Sequence, residues 1–244
     1  MSIAIQITHL TKKFKNRTAV DGLDLSIQQG ELFALLGLNG AGKTTTIKML
    51  CCLYTPTSGD ALLLGDSITG NPAAVKQKIN ISPQETAIAP ALSVQENLEL
   101  VARIYGSPPQ EARKKAEEMM REFRLSDRAR EKAKTLSGGL QRRLSIAMAL
   151  ISNPQIIFLD EPTLGLDVVA RRELWKVMRE LKGKITMVLT THYLEEAEAL
   201  SDRIGILHQG KLKALGTADQ LKQETGKETF EDAFLALTEA EVLP

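Results

Sequence analysis

The stretch GLNGAGKTTT, Gly37 to Thr46, sets three glycines ahead of a lysine and three threonines. Gly37, Gly42, Lys43 and Thr44 fall at the G-x-x-x-x-G-K-[ST] spacing, which needs a strand before it and a helix after it. From Gly37 through Leu38, Asn39, Gly40, Ala41 and Gly42 the backbone N–H groups can turn inward around phosphate oxygens. The helix start that follows, with Thr44 and Thr45, adds partial positive charge. Lys43 would bring a full charge to the β and γ phosphates, and the Thr44 hydroxyl a magnesium ligand. A dinucleotide fingerprint, G-x-G-x-x-G, would require glycine where Thr45 stands and is therefore absent.

A phosphate cradle holds a nucleotide without hydrolysing it; hydrolysis needs a placed magnesium ion and a polarised water as well. The segment IIFLDEPTLGLD answers both needs. Its apolar run ends in Asp160, which can orient the magnesium shell, and then Glu161, whose carboxylate can accept a hydrogen bond from an attacking water. A third constellation is LSGGLQRRLSIAMAL, Leu136 to Leu150. There Ser137 can cap the following helix while Gly138 and Gly139 expose backbone donors at its positive end, a second anion-ready turn that lacks a lysine.

These residues need rigid elements to hold them. Glu31 to Gly37 is a short apolar run closed by glycine, the pattern of a strand buried on both faces, and Thr44 to Leu53 reads as the helix after the loop. Val20 to Ile27 alternates like a half-buried strand, and TPTSGD reads as a turn. Short strands are predicted at Ala61 to Leu64 and Ile79 to Ser82, with a helix start at Pro72 between them. Ser93 to Tyr105 is a helix opened by a Ser93/Glu96 capping box. PPQEARKKAEEMMREFRL pairs Glu111 with Lys115 and Glu117 with Arg121 at i,i+4, over an apolar stripe of Ala112, Ala116, Met119, Met120 and Phe123. Residues from about 88 to 150 thus read as a helical insertion. An alternating pattern then resumes: strand Ile156 to Asp160, helix Val168 to Leu181, strand Thr186 to Thr190, helix Leu194 to Leu200, and strands Ile204 to Leu207 and Lys211 to Leu215 around a Gln209-Gly210 turn. Strands alternating with helices predict a largely parallel, covered sheet. Phe230, Ala233, Phe234 and Leu237 fall at helical spacing, so the tail is expected to dock by its aromatic side.

The 244 residues are 43% hydrophobic, enough to bury a substantial core, and 31 basic against 30 acidic residues give a net charge of +1. That balance gives no long-range reason to expect nucleic acid or an anionic membrane as partner. Cys51 and Cys52 are adjacent within an apolar run, without the spacing of a disulfide framework or a zinc site. No apolar run approaches the roughly 20 residues of a spanning helix. The opening MSIAIQITHLTKKFK places its charges after its apolar residues, unlike a secretory signal. The expectation is a cytoplasmic chain whose membrane role comes through a partner.

Together these residues resemble the nucleotide-binding domain of ATP-binding cassette (ABC) transporters, over nearly the whole chain. The resemblance implies an α/β fold, a P-loop NTPase of the ABC type: a RecA-like core with a mostly parallel sheet, an N-terminal antiparallel β subdomain and the inserted helical subdomain. All would form one ATP-binding domain over 1–244, with a helical tail from about 217 to 244. It implies ATP and Mg2+ as ligands, and a head-to-tail homodimer in which Ser137, Gly138 and Gly139 of one copy close on the γ-phosphate held by the loop of the other. Carried over singly, Phe14 takes the place of an adenine-stacking tyrosine and Gln84 resembles the glutamine that contacts magnesium and water. Asp167 resembles an aspartate that touches the opposite subunit, and His192 a switch histidine at the γ-phosphate. Magnesium would be held by Thr44, Gln84 and Asp160, and catalysis carried by Glu161, His192 and Gln84. Leu38 replaces a common proline and Leu140 a glutamine or methionine; neither change removes a phosphate donor. With Lys43, Asp160, Glu161 and His192 all present, both sites of a homodimer are expected to hydrolyse.

The wording of these motifs is closest to the separate ATP-binding subunits of bacterial ABC-2 type exporters. Such a subunit would sit on the inner face of the cell membrane through a transmembrane permease subunit, moving drugs, antibiotics, polysaccharides or lipids. One rival reading is a soluble ABC ATPase acting on nucleic acid or ribosomes; the chain has no long coiled coil, zinc module or second cassette to support it. Another is a nucleotide-binding module without turnover, against which Glu161 argues.

Overall fold

A computed structural model describes residues 2–239. Two sheets divide the strands. The first contains β1 (Ile3–Phe14), β2 (Arg17–Gln28), β4 (Ser58–Leu63) and β5 (Asp66–Ser67), antiparallel in the order β2-β1-β4-β5. The second has six strands: β6 (Ile79–Ser82), β7 (Ile156–Asp160), β8 (Thr186–Thr191), β3 (Leu32–Leu36), β9 (Arg203–His208) and β10 (Lys211–Gly216). Their order is β10-β9-β3-β8-β7-β6, parallel throughout except for the β9/β10 hairpin.

The period of two along a strand explains how the sheets share one body. Along β3, Leu32, Ala34 and Leu36 enter the core beneath the helices, while Phe33 and Leu35 enter the core between the two sheets. Strand β7 divides in the same way, Ile157 and Leu159 to one side and Ile156 and Phe158 to the other. Each of these leucine, isoleucine and phenylalanine side chains, buried, contributes roughly 1.5–3 kcal/mol of transfer free energy.

Helix α1 (Lys43–Leu50) follows β3 directly, and α2 (Pro72–Lys78), capped by Asn71, leads into β6. Between β6 and β7 lie α3 (Val94–Ile104), α4 (Pro109–Glu122) and α5 (Gly138–Leu150). Ser93 and Glu96 close the capping box expected for α3. Helix α6 (Val168–Leu181) joins β7 to β8, α7 (Leu194–Leu200) joins β8 to β9, and α8 (Ala218–Thr225) and α9 (Phe230–Glu239) follow β10. Phe230, Ala233 and Phe234 are buried, so α9 docks by the side the spacing indicates, with Leu237 partly buried against the same core. The end of the expected tail, 240–244, lies outside the described residues.

The structure differs from the sequence pattern at several places, the two-residue strand β5 among them, too short to leave a period. The first strand, Ile3–Phe14, has no counterpart among the predicted elements; register shifts beside Ile3, Ile7 and Leu10, with His9 at φ 48°, break its alternation. Ser58 to Asp60 belongs to β4, so the turn before it ends at Thr57. Helix α1 stops at Leu50 rather than Leu53, because Leu53 and Tyr54 both donate back to the Lys48 carbonyl, at 2.8 and 3.0 Å, while Cys52 takes φ 54°. On α4 the Glu111–Lys115 pair forms at 2.8 Å, but Glu117 pairs with Arg113 at 3.2 Å rather than with Arg121.

Candidate active site

The loop after β3 is built around glycine. A Cβ on Gly37 would lie 2.3 Å from the Leu207 carbonyl oxygen, and one on Gly42, at φ 108°, would lie 2.4 Å from that of Ala19. No side chain caps the start of α1, so its first N–H groups face the loop as open donors. Lys43 is buried and its Nζ donates to the Gly37 carbonyl at 2.7 Å, arching back over the loop it follows. Backbone donors, a helix start and one buried ammonium make a concave site for a polyphosphate.

The two acids sit at the end of β7. Asp160 Oδ1 accepts from Thr190 Oγ1 at 2.6 Å and from Thr44 Oγ1 at 3.1 Å. Glu161 departs from the strand at φ 48°, a region costly for a side-chain-bearing residue. Its N–H is held there by the carbonyl and hydroxyl oxygens of Thr190, at 3.2 and 3.1 Å. The strained turn aims the buried carboxylate at the loop: Oε1 is 3.2 Å from Lys43 Nζ and Oε2 is 2.8 Å from His192 Nδ1. A buried ion pair of this kind is held by mutual need, since removing one partner strands the other charge at a cost of about 3–5 kcal/mol.

Phe14, Gln84, Glu161 and His192 line one cleft of about 560 Å3 together with the loop from Asn39 to Thr45. Phe14 is 41% exposed; its ring meets Tyr54 edge-on at 5.7 Å and carries the Lys12 ammonium 5.1 Å from its centroid. Gly37 underlies the loop, and Leu38 points away, 53% exposed. The hydroxyl of Thr44 and the carboxylate of Asp160 form a pair of hard oxygen ligands suited to magnesium, which takes one or two carboxylates and leaves other positions to phosphate and water.

Ser137, Gly138 and Gly139 are not brought to this cleft. Ser137 caps α5, accepting from Leu140 N at 3.5 Å. Gly138 is exposed, with open space where a Cβ would point, whereas Gly139 is buried and a Cβ there would come within 2.7 Å of Ala170 Cβ on α6. Asp167 caps α6 by accepting from Ala170 N at 2.8 Å.

Three participants carry no signal in the sequence. Thr190 bonds both acid positions. Arg17 reaches the loop, donating to the Gly40 carbonyl at 2.8 Å. Arg142, on α5, is buried and donates to Pro162 and Asp160 carbonyls, both at 2.9 Å, and to those of Pro83 and Gln84. Burial pushes its guanidinium down to about 10 against the pull of Asp160 and Glu196. Nothing in LSGGLQRRL separates this arginine from its neighbour Arg143.

The ABC transporter family profile matches residues 20–164. The chain is 41% identical over 224 residues to daunorubicin resistance ATP-binding protein DrrA3 of Streptomyces coeruleorubidus, covering 91% of this chain and 71% of that protein. It is 42% identical to ABC transporter A family member 11 of Arabidopsis thaliana over 92% of this chain, but spans only 25% of that longer protein. Among solved structures, the ATP binding subunit of an ABC transporter superposes with a TM-score of 0.84 at 30% identity, over 96% of this chain and 99% of that one. The ATP-binding cassette MJ0796, a dimer in a post-hydrolysis state with ADP and Pi, gives 0.79 at 28% identity, over 87% of this chain and 98% of that one. The fold is that of the P-loop NTPases. The chain belongs to the ABC transporter family.

Proposed function

We propose that this chain is the ATP-binding and ATP-hydrolysing subunit of an exporter, working as a head-to-tail dimer on a separate transmembrane permease. One observation carries the reading. The cleft holds Lys43, Glu161 and the Phe14 ring, whereas the exposed Ser137–Gly138 turn lies off it, so one chain contains two halves of a phosphate site that do not meet. A second copy placed head to tail would complete each cleft with the other's turn. The relatives named for drug resistance and the superposition on a dimeric cassette support this arrangement. Among the described residues no helix is long and apolar enough to cross a membrane, in keeping with a chain that reaches the bilayer through its permease, on the cytoplasmic side.

Lys43 donates to the Gly37 carbonyl and pairs with Glu161. Phosphate oxygens compete for that ammonium, and Phe14 offers its exposed ring to adenine. As Lys43 turns to phosphate, Glu161 keeps His192 and gains a free oxygen that can orient the attacking water. Thr44 and Asp160, with Gln84 at the cleft wall, would hold Mg2+, which would supply positive charge beside the bound phosphates. Closure is favoured because only the dimer gives the nucleotide its second set of donors, and an equilibrium shifts only by such a difference in affinity.

Glu161→Gln keeps the side chain's size while weakening its acceptor. It is expected to bind ATP normally and to accumulate as an ATP-bound dimer in analytical ultracentrifugation. A variant that binds ATP and stays monomeric at all concentrations, alone and beside its permease, rejects the dimer. Affinity capture of the chain from detergent-solubilised membranes tests the permease: recovery without any membrane protein rejects that partner.

A further inference from the structure

Glu196, on α7 four residues beyond His192, is 0% exposed. Its Oε1 accepts from Nε1 of Trp175 on α6 at 3.1 Å. Its Oε2 and the Thr163 hydroxyl are both buried and neither has a hydrogen-bond partner in this arrangement. The hydroxyls of Thr191 and Thr163, on two neighbouring segments, are near enough to favour the ionised carboxyl, a pull that burial outweighs. Thr191 immediately precedes His192, Thr163 lies just past Glu161, and Trp175 belongs to the helix that Asp167 caps. A single carboxyl therefore stands where the Glu161 turn, the His192 strand end and α6 converge.

Such a group is expensive. An apolar side chain would fill the same space, whereas a buried polar group costs about 1–3 kcal/mol unless fully bonded. The charged groups that face it are Glu161 from the turn after β7 and Arg142 from α5; neither hydrogen-bonds to it. On the α6 side, Arg171 lies over the Trp175 ring rather than against the carboxyl. Burial, reinforced by the negative charge of Glu161, pushes the Glu196 carboxyl up and favours its protonated form. A neutral acid can both accept from the indole and donate to a hydroxyl, which leucine cannot do.

We propose that Glu196 is a positioning residue for ATP hydrolysis: its carboxyl ties the Glu161 turn and the His192 strand end to α6 and so fixes the 2.8 Å Glu161–His192 contact. This rests on the roles given above to Glu161 and His192. Trp175 is the only tryptophan in the chain, so its emission reports the bond whether or not ATP turns over.

Three variants separate the possibilities. Glu196→Gln keeps a neutral acceptor and donor; kcat should stay within about threefold of wild type and the tryptophan emission should be close to unchanged. Glu196→Leu fills the volume without the bonds. It should melt no lower than wild type, shift the Trp175 emission, and lose about tenfold in kcat, with KM for ATP within about twofold. Trp175→Phe removes the donor, should lower kcat in the same way, and should add little to Glu196→Leu in a double-mutant cycle.

Leucine at 196 with kcat within twofold of wild type overturns the proposal, as does a tenfold loss in the glutamine variant, which would mean that the charge itself is needed. Should wild type hydrolyse no ATP even with its permease, the functional reading fails separately. The emission then decides: identical spectra for wild type and Glu196→Leu remove the Trp175 bond and the proposal with it. If Glu196→Leu does not fold, the glutamine and Trp175→Phe variants alone decide by the same criteria.

Discussion

Arg142 fastens the candidate site together from behind, and replacing it by methionine should cost both stability and turnover. Its guanidinium donates to carbonyls of Asp160 at the end of β7, Pro162 beyond it, and Pro83 and Gln84 after β6, from a helix that Ser137 caps and Gly138 begins. Methionine has similar length and no donors, so it leaves at least the Pro83, Asp160 and Pro162 oxygens without their partner. A buried orphaned acceptor costs about 1–3 kcal/mol, while the guanidinium's own desolvation penalty is relieved; the balance is a loss of roughly 3 kcal/mol. In a domain of this size about 1 kcal/mol moves Tm by 2–4 °C, so Arg142→Met should melt roughly 6–12 °C below wild type. Lysine keeps the charge but cannot span carbonyls on both segments at once, and should recover about half of the loss. Calorimetry or circular dichroism measures the shift, and a coupled phosphate-release assay should show a lower kcat in the methionine variant at a temperature where it is fully folded. A methionine variant melting within about 2 °C of wild type would refute the reasoning, because the carbonyls would then be satisfied without the arginine.

Other perturbations probe separate parts. Gly42→Ala forces a Cβ toward the Ala19 carbonyl at 2.4 Å in a left-handed conformation, and should abolish binding of a fluorescent ATP analogue while leaving far-ultraviolet dichroism unchanged. Phe14→Ala removes the stacking face; with base stacking worth about 1–3 kcal/mol, KM for ATP should rise about tenfold or more, while Phe14→Tyr should restore it. Burial raises the thiols of both Cys51 and Cys52, so iodoacetamide at neutral pH should alkylate the native chain far more slowly than the unfolded one, as mass spectrometry would register. The raised Glu196 carboxyl carries a defined sign: the folded state binds more protons, so its contribution is full below the unfolded carboxylate range and is lost as pH rises through the folded value. Melting temperatures of wild type should therefore fall relative to Glu196→Gln as pH rises from about 5 to 8; parallel curves would contradict the shift.

The parts of the molecule that can be read from sequence are those whose physics is local. β3 and β7 are buried on both faces and so appear as apolar runs, β8 keeps Met187 to Leu189 between threonines, and the loop after β3 declares itself because only glycine fits beside Leu207 and Ala19. Ser93 and Ser137 cap the helices they precede because a capping hydroxyl acts within three residues. β1 is hidden by its own bulges, since a strand that shifts register loses the period by which strands are found. Partner choice on α4 is equally out of reach: Glu117 has a basic residue four positions away on either side, and only rotamers decide between Arg113 and Arg121.

Arg142 and Glu196 show why the deeper layer of the site stays invisible in the sequence. Each is a charged residue in a helix, a setting that reads as a solvated face unless tertiary packing closes over it. Both are buried because neighbouring segments cover them, α6 and the turns after β6 and β7. The residues facing the cleft follow a pattern because a phosphate-binding loop dictates donor types and spacing. The residues behind it answer only to carbonyls and hydroxyls left over when β6, β7, β8 and their helices meet, and any chain segment can supply those. Position around a ligand is thus written in motifs, whereas the stiffness that makes the position useful is written in pairings such as Arg142 to Asp160 and Glu196 to Trp175, which exist only after folding. Substitutions at these two residues should for that reason alter turnover more than nucleotide affinity, the reverse of what is expected at Phe14 and Gly42.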